Sequence, residues 1–146
     1  LENIHPAAVE RLEEAGYSVE SHKGALDEDA LVEAVRGVHV LGVRSKTQVS
    51  ARVLEAADRL MAVAAFCIGT NQVDLGAATR RGIAVFNAAP FAGGVLAKGS
   101  AAVKRITYQV ADEAALAPVR YVEDICARHG TAPGTVALKF SMNDRS

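Results

Sequence analysis

Charge of one sign is missing from this sequence. Sixteen basic and seventeen acidic side chains leave a formal net charge of -1, which gives no footprint for nucleic acid and no polybasic patch for a membrane surface. Long apolar runs are missing as well. None approaches the roughly 18 residues a membrane helix needs, and the stretch from Leu60 to Phe66 has the length of a buried strand. Cysteine is scarce. Cys67 and Cys126 make neither a metal-ligand spacing nor a disulfide framework, which suits a reducing, cytoplasmic setting. His5, His22, His39 and His129 are scattered and form no HExxH-type set, so each reads as structural or solvated and no metal is expected. The polar start and the early Pro6 lack the pattern of a signal peptide, and there is no initiator methionine.

What is present fits one soluble domain over residues 1–146: half the residues are apolar and 23% are charged. Leu1 to Ile4 reads as a strand end, and Pro6 opens a helix with Ala8, Val9, Leu12 and Ala15 on its inner stripe. Tyr17, Val19 and Ser21 alternate with polar residues, as in a half-exposed strand. Asp27 caps a helix carrying Leu31, Val32 and Val35. Val38 to Val43 is nearly all apolar, as in a parallel strand covered on both faces, with His39 as a hydrogen-bonded core histidine. Ser50 caps a short helix, Leu60 to Phe66 is the next strand, and Asp74 to Arg81 is a helix closed by Gly82. A last strand follows at residues 83–86. Crossovers of this length predict parallel pairing. The helices at 6–15 and 74–81 are expected on one sheet face, those at 27–36 and 50–57 on the other. After Pro90 the chain turns glycine-rich, and residues 100–110 carry no clean period. Asp112 to His129 reads as a helix with Leu116, Val119, Val122, Ile125 and Cys126 on one face, starting or kinking at Pro118. Residues 133–142 satisfy both periods, and their residue types favour a helix.

Two stretches carry chemistry. Arg44-Ser45-Lys46-Thr47 follows a strand at the end of a parallel sheet where ligands gather, and its groups suit a phosphate or carboxylate. A solvated basic loop explains the same composition equally well. Cys67-Ile68-Gly69-Thr70-Asn71 follows the next strand, and the Gly69 amide and Asn71 side chain could meet a carboxylate. The alternative there is a tight turn leading to the helix at Asp74.

Residues 1–89 resemble the N-terminal, substrate-side domain of the D-3-phosphoglycerate dehydrogenases, which are two-domain 2-hydroxy-acid dehydrogenases. The matching stretches are Leu1-Glu2-Asn3-Ile4-His5, Lys23-Gly24-Ala25-Leu26-Asp27, Arg44-Ser45-Lys46-Thr47 and the long run Phe66-Cys67-Ile68-Gly69-Thr70-Asn71-Gln72-Val73-Asp74-Leu75. Ala64-Ala65 departs from the glycine and cysteine usual there. The resemblance implies that Arg44, Ser45, Lys46, Gly69 and Asn71 help hold a phosphorylated substrate. It also implies a nicotinamide-binding domain with a GxGxxG turn and the catalytic histidine, arginine and glutamate, none of which is found. From about residue 77 to 145 the chain is similar instead to aldo-keto reductases of the aldose dehydrogenase type, which are (β/α)8 barrels. That similarity rests on residues 83–96, on Ile125-Cys126-Ala127-Arg128-His129-Gly130 and on Pro133-Gly134-Thr135-Val136-Ala137-Leu138.

Together the two resemblances imply an engineered or recombined chimera joined within residues 77–91, expressed recombinantly, with no enzymatic activity and no cofactor. The implied fold is a flavodoxin-like, Rossmann-like three-layer α/β/α sandwich with parallel sheet order 2-1-3-4-5. The alternative function is a residual phosphate- or carboxylate-binding module at Arg44, Ser45, Lys46, Gly69 and Asn71. A third reading is an oxidoreductase completed by a partner chain. Expected partners are a weakly bound anion and, through the long connection at 90–111, a swapped copy in a homodimer; a monomer is equally consistent.

Overall fold

The computed structural model describes residues 1–106 and 109–142. They form two compact units, residues 1–88 and residues 89–142.

The first unit is built on three short parallel strands, β1 (Val40–Val43), β2 (Ala62–Ala65) and β3 (Ala84–Asn87), in the spatial order β1-β2-β3. Val40, Ala62 and Ala84 share one row, and Leu41, Val63 and Val85 the next. Four helices join this sheet: α1 (Pro6–Glu14), α2 (Glu28–Ala34), α3 (Ala51–Ala56) and α4 (Leu75–Arg80). The crossovers start where side chains satisfy the first free amides. Asp27 accepts from the Ala30 amide at 2.9 Å, Ser50 from Val53 at 3.4 Å and Asp74 from Ala77 at 2.8 Å. Leu31 and Val35, Val53 and Leu54, and Val43 and Val63 are fully buried in one continuous core. Burying each such side chain contributes roughly 1.5–3 kcal/mol. Ala77 and Ala78 of α4 belong to the same cluster, so α4 shares its core with α2 and α3 rather than covering the other face.

The order 2-1-3-4-5 expected of a flavodoxin-like sandwich is therefore not what forms. The first unit has a sequential three-stranded sheet because two of the expected strands are absent among the described residues. Glu2 and Asn3 have φ of 62° and 55°, a left-handed conformation incompatible with a strand. Their amides donate instead to the Gly24 and His22 carbonyls, at 3.2 Å each. Residues 17–21 run irregularly, with Tyr17 exposed. Without those strands α1 buries none of its residues, and Leu12 of its expected inner stripe is exposed. The imidazole of His39 is exposed as well, so it is no core histidine. Only its carbonyl joins the sheet, accepting from Met61 at 2.9 Å. Gly42 lies directly under Ile4: a Cβ there would come 2.8 Å from Cδ1 of Ile4, and the end of that side chain would have to shift.

The second unit starts with a 3-10 turn at Ala92–Gly94, then α5 (Val95–Lys98) and a second 3-10 turn at Ser100–Ala102. An antiparallel pair, β4 (Arg105–Ile106) and β5 (Gln109–Val110), leads into α6 (Glu113–Arg128), and α7 (Pro133–Ser141) follows. Asp112 caps α6 through the Ala115 amide at 2.8 Å. The helix begins five residues before Pro118 and runs through it. Gly134 lets α7 pack closely on α5, since a Cβ there would lie 3.3 Å from the Leu96 carbonyl oxygen. Glu123 of α6 ties down the turn before it by accepting from the Ser100 amide at 2.6 Å and its hydroxyl at 2.7 Å.

No described helix is long and apolar enough to cross a membrane.

Candidate functional site

β1 and β2 lie side by side, so the loops leaving their carboxyl ends, residues 44–49 and 66–73, are neighbours. The backbone keeps them together beyond the strands. Phe66 donates to the Val43 carbonyl at 2.8 Å, Val49 to the Gln72 carbonyl at 2.8 Å, and Asp74 to the Val49 carbonyl at 2.9 Å. Val49 and Val73 make a parallel bridge between the two loops. The sequence-predicted residues divide accordingly: Arg44, Ser45 and Lys46 sit on the first loop and Gly69 and Asn71 on the second. Arg44, Ser45, Lys46 and Asn71 are exposed, and Gly69 is half-buried. A Cβ added to Gly69 would sit 3.5 Å from Oδ1 of Asn71, which brings that amide side chain against the Gly69 backbone.

Two buried polar residues organise these loops. Glu2 is only 8% exposed. Its Oε1 accepts from the amides of Arg44 (3.1 Å) and Thr47 (2.9 Å), and its Oε2 from the amide of Lys46 (3.0 Å). Burial pushes the Glu2 carboxyl up. The Thr47, Lys46 and Arg44 donors outweigh that and hold it below the usual glutamate range. The Thr47 hydroxyl is fully buried and makes no hydrogen bond of good geometry, yet its nearness to the carboxylate still favours the ionised form. The Glu2 carbonyl also accepts from Nη1 of Arg44 at 3.3 Å, which orients the guanidinium. Gln72, 4% exposed, is the second organiser. Its Nε2 donates to the Arg44 carbonyl at 3.2 Å and to Sγ of Cys67 at 2.9 Å. The Cys67 thiol in turn donates to the Gly69 carbonyl at 3.2 Å.

This has a chemical consequence. The three amides that converge in the 44–47 loop would suit an anion, but Glu2 occupies them. An incoming phosphate or carboxylate meets the side chains of Arg44, Ser45 and Lys46 instead. Neither Arg44 nor Lys46 makes a salt bridge with a described carboxylate, so the loop presents its positive charge to solvent. Among the described residues no group of His, Cys, Asp and Glu could hold a metal ion. Glu2 and Gln72 are the residues that composition and spacing missed. The one local signal was a lone glutamate inside the otherwise uncharged Leu1-Glu2-Asn3-Ile4.

With this geometry in hand, comparison with known proteins gives a consistent result. Residues 1–92 match the family model for the D-isomer specific 2-hydroxyacid dehydrogenase, catalytic domain. The D-3-phosphoglycerate dehydrogenase of Escherichia coli K12 is 53% identical over 92 residues, which is 62% of this chain and 22% of that protein. The enzyme of the same name from Dictyostelium discoideum is 54% identical over 91 residues, covering 62% of the chain and 22% of that protein. A crystal structure of a Thermus thermophilus protein superposes with a TM-score of 0.54 at 34% identity, covering 65% of this chain and 30% of that one. The chain thus spans about a fifth of the length of the curated relatives it matches.

These findings overturn the expectation of an engineered chimera of two enzyme families with no enzymatic activity. The dehydrogenase match runs to residue 92, through the whole of residues 77–91 where a join was expected. Residues 84–87, part of the stretch 83–96 assigned by resemblance to a barrel of the aldo-keto reductase type, form the third strand of the dehydrogenase-like sheet. Beyond them, the described strands of the second unit are two residues each and antiparallel, not the parallel strands of such a barrel. The match to a catalytic domain likewise replaces the expectation of a chain with no part in catalysis.

Proposed function

The chain belongs to the D-isomer specific 2-hydroxyacid dehydrogenase family through residues 1–92, and on that premise we propose that it forms the substrate-side part of a dehydrogenase site for a phosphorylated 2-hydroxy acid. The observation that carries this reading is the pairing of the 44–49 and 66–73 loops at the carboxyl ends of adjacent parallel strands. The curated relatives cited above are named D-3-phosphoglycerate dehydrogenases, which favours a phosphate and a carboxylate on one small molecule. In this proposal the Arg44 guanidinium and Lys46 ammonium hold the phosphate, with the Ser45 hydroxyl as a further donor. The Gly69 amide and the Asn71 side chain meet the carboxylate. Their work is to bind and orient the acid.

A nicotinamide dinucleotide, implied by the family resemblance, does not fit the described residues. In folds of this type its pyrophosphate rests on a glycine-rich turn between a strand and a helix. This sequence has no G-x-G anywhere, and β3 exits through Asn87-Ala88-Ala89-Pro90 toward a helix of only four residues, α5. No step of hydride transfer is therefore assigned to this chain. The two free thiols, Cys67 and Cys126, support the cytoplasmic setting.

The test is a titration of the chain with D-3-phosphoglycerate followed by amide resonances. Half a substrate site corresponds to millimolar affinity, about -4 kcal/mol. Shifts confined to residues 44–47 and 67–71, and lost in Arg44→Ala and Lys46→Ala, are expected. A flat response up to solubility-limited concentrations would sink the proposal.

A further inference from the structure

We infer that Glu2 is the positioning residue of this anion site: its carboxylate is an internal anion that shapes the 44–47 loop so that the Arg44 and Lys46 side chains project together. The inference rests on the anion-binding reading above. It starts from a cost. Glu2 and Asn3 both adopt left-handed φ, 62° and 55°, which residues carrying a Cβ rarely do and which persists only where the surroundings over-determine it. Burying a carboxylate is a second cost unless donors surround it.

Both costs are offset at one place. Three amides from residues 44, 46 and 47, forty-two to forty-five positions away in sequence, converge on the Glu2 carboxylate between 2.9 and 3.1 Å. The chain omits only the amide of Ser45 from this set, so residues 44–47 wrap around the carboxylate. The Glu2 carbonyl then accepts from the Arg44 guanidinium. A single residue thereby fixes the loop backbone and one of its two cations. Leu1 anchors this arrangement, since its nitrogen donates to the Gly42 carbonyl at 2.7 Å, two residues before the loop begins. An empty nest of amides would also draw the ligand's anion down to the backbone, away from the side chains. Glu2 removes that competing mode. The hold of these donors on the carboxyl keeps it ionised through the neutral range.

The Glu2→Gln variant of the full chain tests this. It keeps the shape, but the amide side chain turns a donor toward the Lys46 amide. Inorganic phosphate is titrated into wild type and variant, with circular dichroism as the check on folding. Phosphate should bind the wild type at residues 44–47 and bind the variant about tenfold more weakly or worse, as expected for lost charge-assisted hydrogen bonds. Equal or tighter binding by the variant, the latter being what simple removal of a nearby negative charge would give, overturns the positioning role while leaving the anion site standing. No binding by the wild type removes the anion site itself, and this inference with it. Glu2→Ala in the presence of formate supplies a second readout. Formate should enter the vacated nest and return the Arg44, Lys46 and Thr47 amide resonances toward their wild-type positions, without moving them in the wild type. If both variants stay unfolded even with formate, Glu2 is a folding residue only and the inference falls.

Discussion

The two units of this molecule bury their apolar residues very differently. In residues 1–88, α2, α3, α4 and the sheet share one continuous core running from Leu31 to Ile83. In residues 89–142, only Val95, Leu116 and Cys126 are buried apolar side chains among the described residues. There α7 buries nothing, and Phe140 is 81% exposed. The contrast has a topological cause. Parallel strands joined by helices bring residues far apart in sequence into common rows, and those rows need a cover. A two-residue antiparallel pair between helices makes no such demand. The first unit therefore holds its loops on a rigid base, which a binding site needs, whereas the second holds its turns by local polar ties such as Glu123 to Ser100.

If this contrast is right, its largest expression is in core truncation. Leu54 is fully buried against α2 and the sheet, so Leu54→Ala should cost about 2–5 kcal/mol, the transfer loss plus the cavity left behind. Phe140→Ala removes a larger side chain at an exposed position, and about 0.5 kcal/mol or less is expected. Denaturant melts of the two variants, read by amide signals from each unit, give the comparison. Similar losses from both would mean the second unit has a core as demanding as the first.

Next in size is Gln72. Truncating it to alanine leaves the Arg44 carbonyl and the Cys67 thiol without their buried donor, at about 1–3 kcal/mol. Hydrogen exchange should quicken in both loops, residues 44–49 and 66–73, and hardly at all in residues 89–142. Exchange that quickens in one loop alone would break the claim that Gln72 couples them.

Helix caps offer a smaller and more even test. Asp27 caps α2 in the first unit and Asp112 caps α6 in the second, with nearly the same geometry, 2.9 and 2.8 Å. Each alanine substitution should cost about 1 kcal/mol. Because the caps are local, the two losses should match even though the cores do not; a much larger loss at Asp27 would indicate that α2 is coupled more tightly to its core than a cap requires.

These cases also mark what the sequence could tell. Caps and stops are local chemistry, so the caps at Asp27 and Ser50 and the helix starts at Asp74 and Asp112 were legible, as were the apolar runs that became β1, β2 and β3. Thr131, read as a cap for the last helix, makes no such bond, and Ala132 stands at that position instead. The loops carrying Arg44, Lys46, Gly69 and Asn71 were legible too, because they follow those runs. Alternation at Tyr17, Val19 and Ser21 misled, since period two records that a strand could form and not that a neighbour exists to pair with it. The two-residue strands β4 and β5 are too short to carry any period. Glu2 and Gln72 escaped for a different reason. Their partners lie at Arg44, Lys46, Thr47 and Cys67, and Glu2 reaches across more than forty residues of sequence. The likeness of residues 83–96 to a barrel strand and its turn was equally local, and it carried no information about the sheet that strand would join.

The smallest expected effect separates the two units by pH. Each contains a glutamate that accepts from the backbone amide of a hydroxyl-bearing residue, Thr47 for Glu2 and Ser100 for Glu123. The Ser100 hydroxyl and amide depress Glu123, while burial opposes them only weakly. At Glu2 burial opposes strongly, and the donors still win. Both folded-state values lie below the ordinary glutamate value, so each carboxylate adds stability that is fully present above that value and lost as pH falls through the depressed one. The size should differ, because Glu123 is half-exposed and solvent screens it, whereas Glu2 is buried. Acid titration of Glu2→Gln should show a flattened loss of stability in the first unit below the usual glutamate range, and Glu123→Gln only a slight change in the second. If Glu123→Gln flattens the acid profile as much as Glu2→Gln, burial is not what distinguishes the two sites, and the second unit is held as firmly by its surface carboxylate as the first is by its interior one.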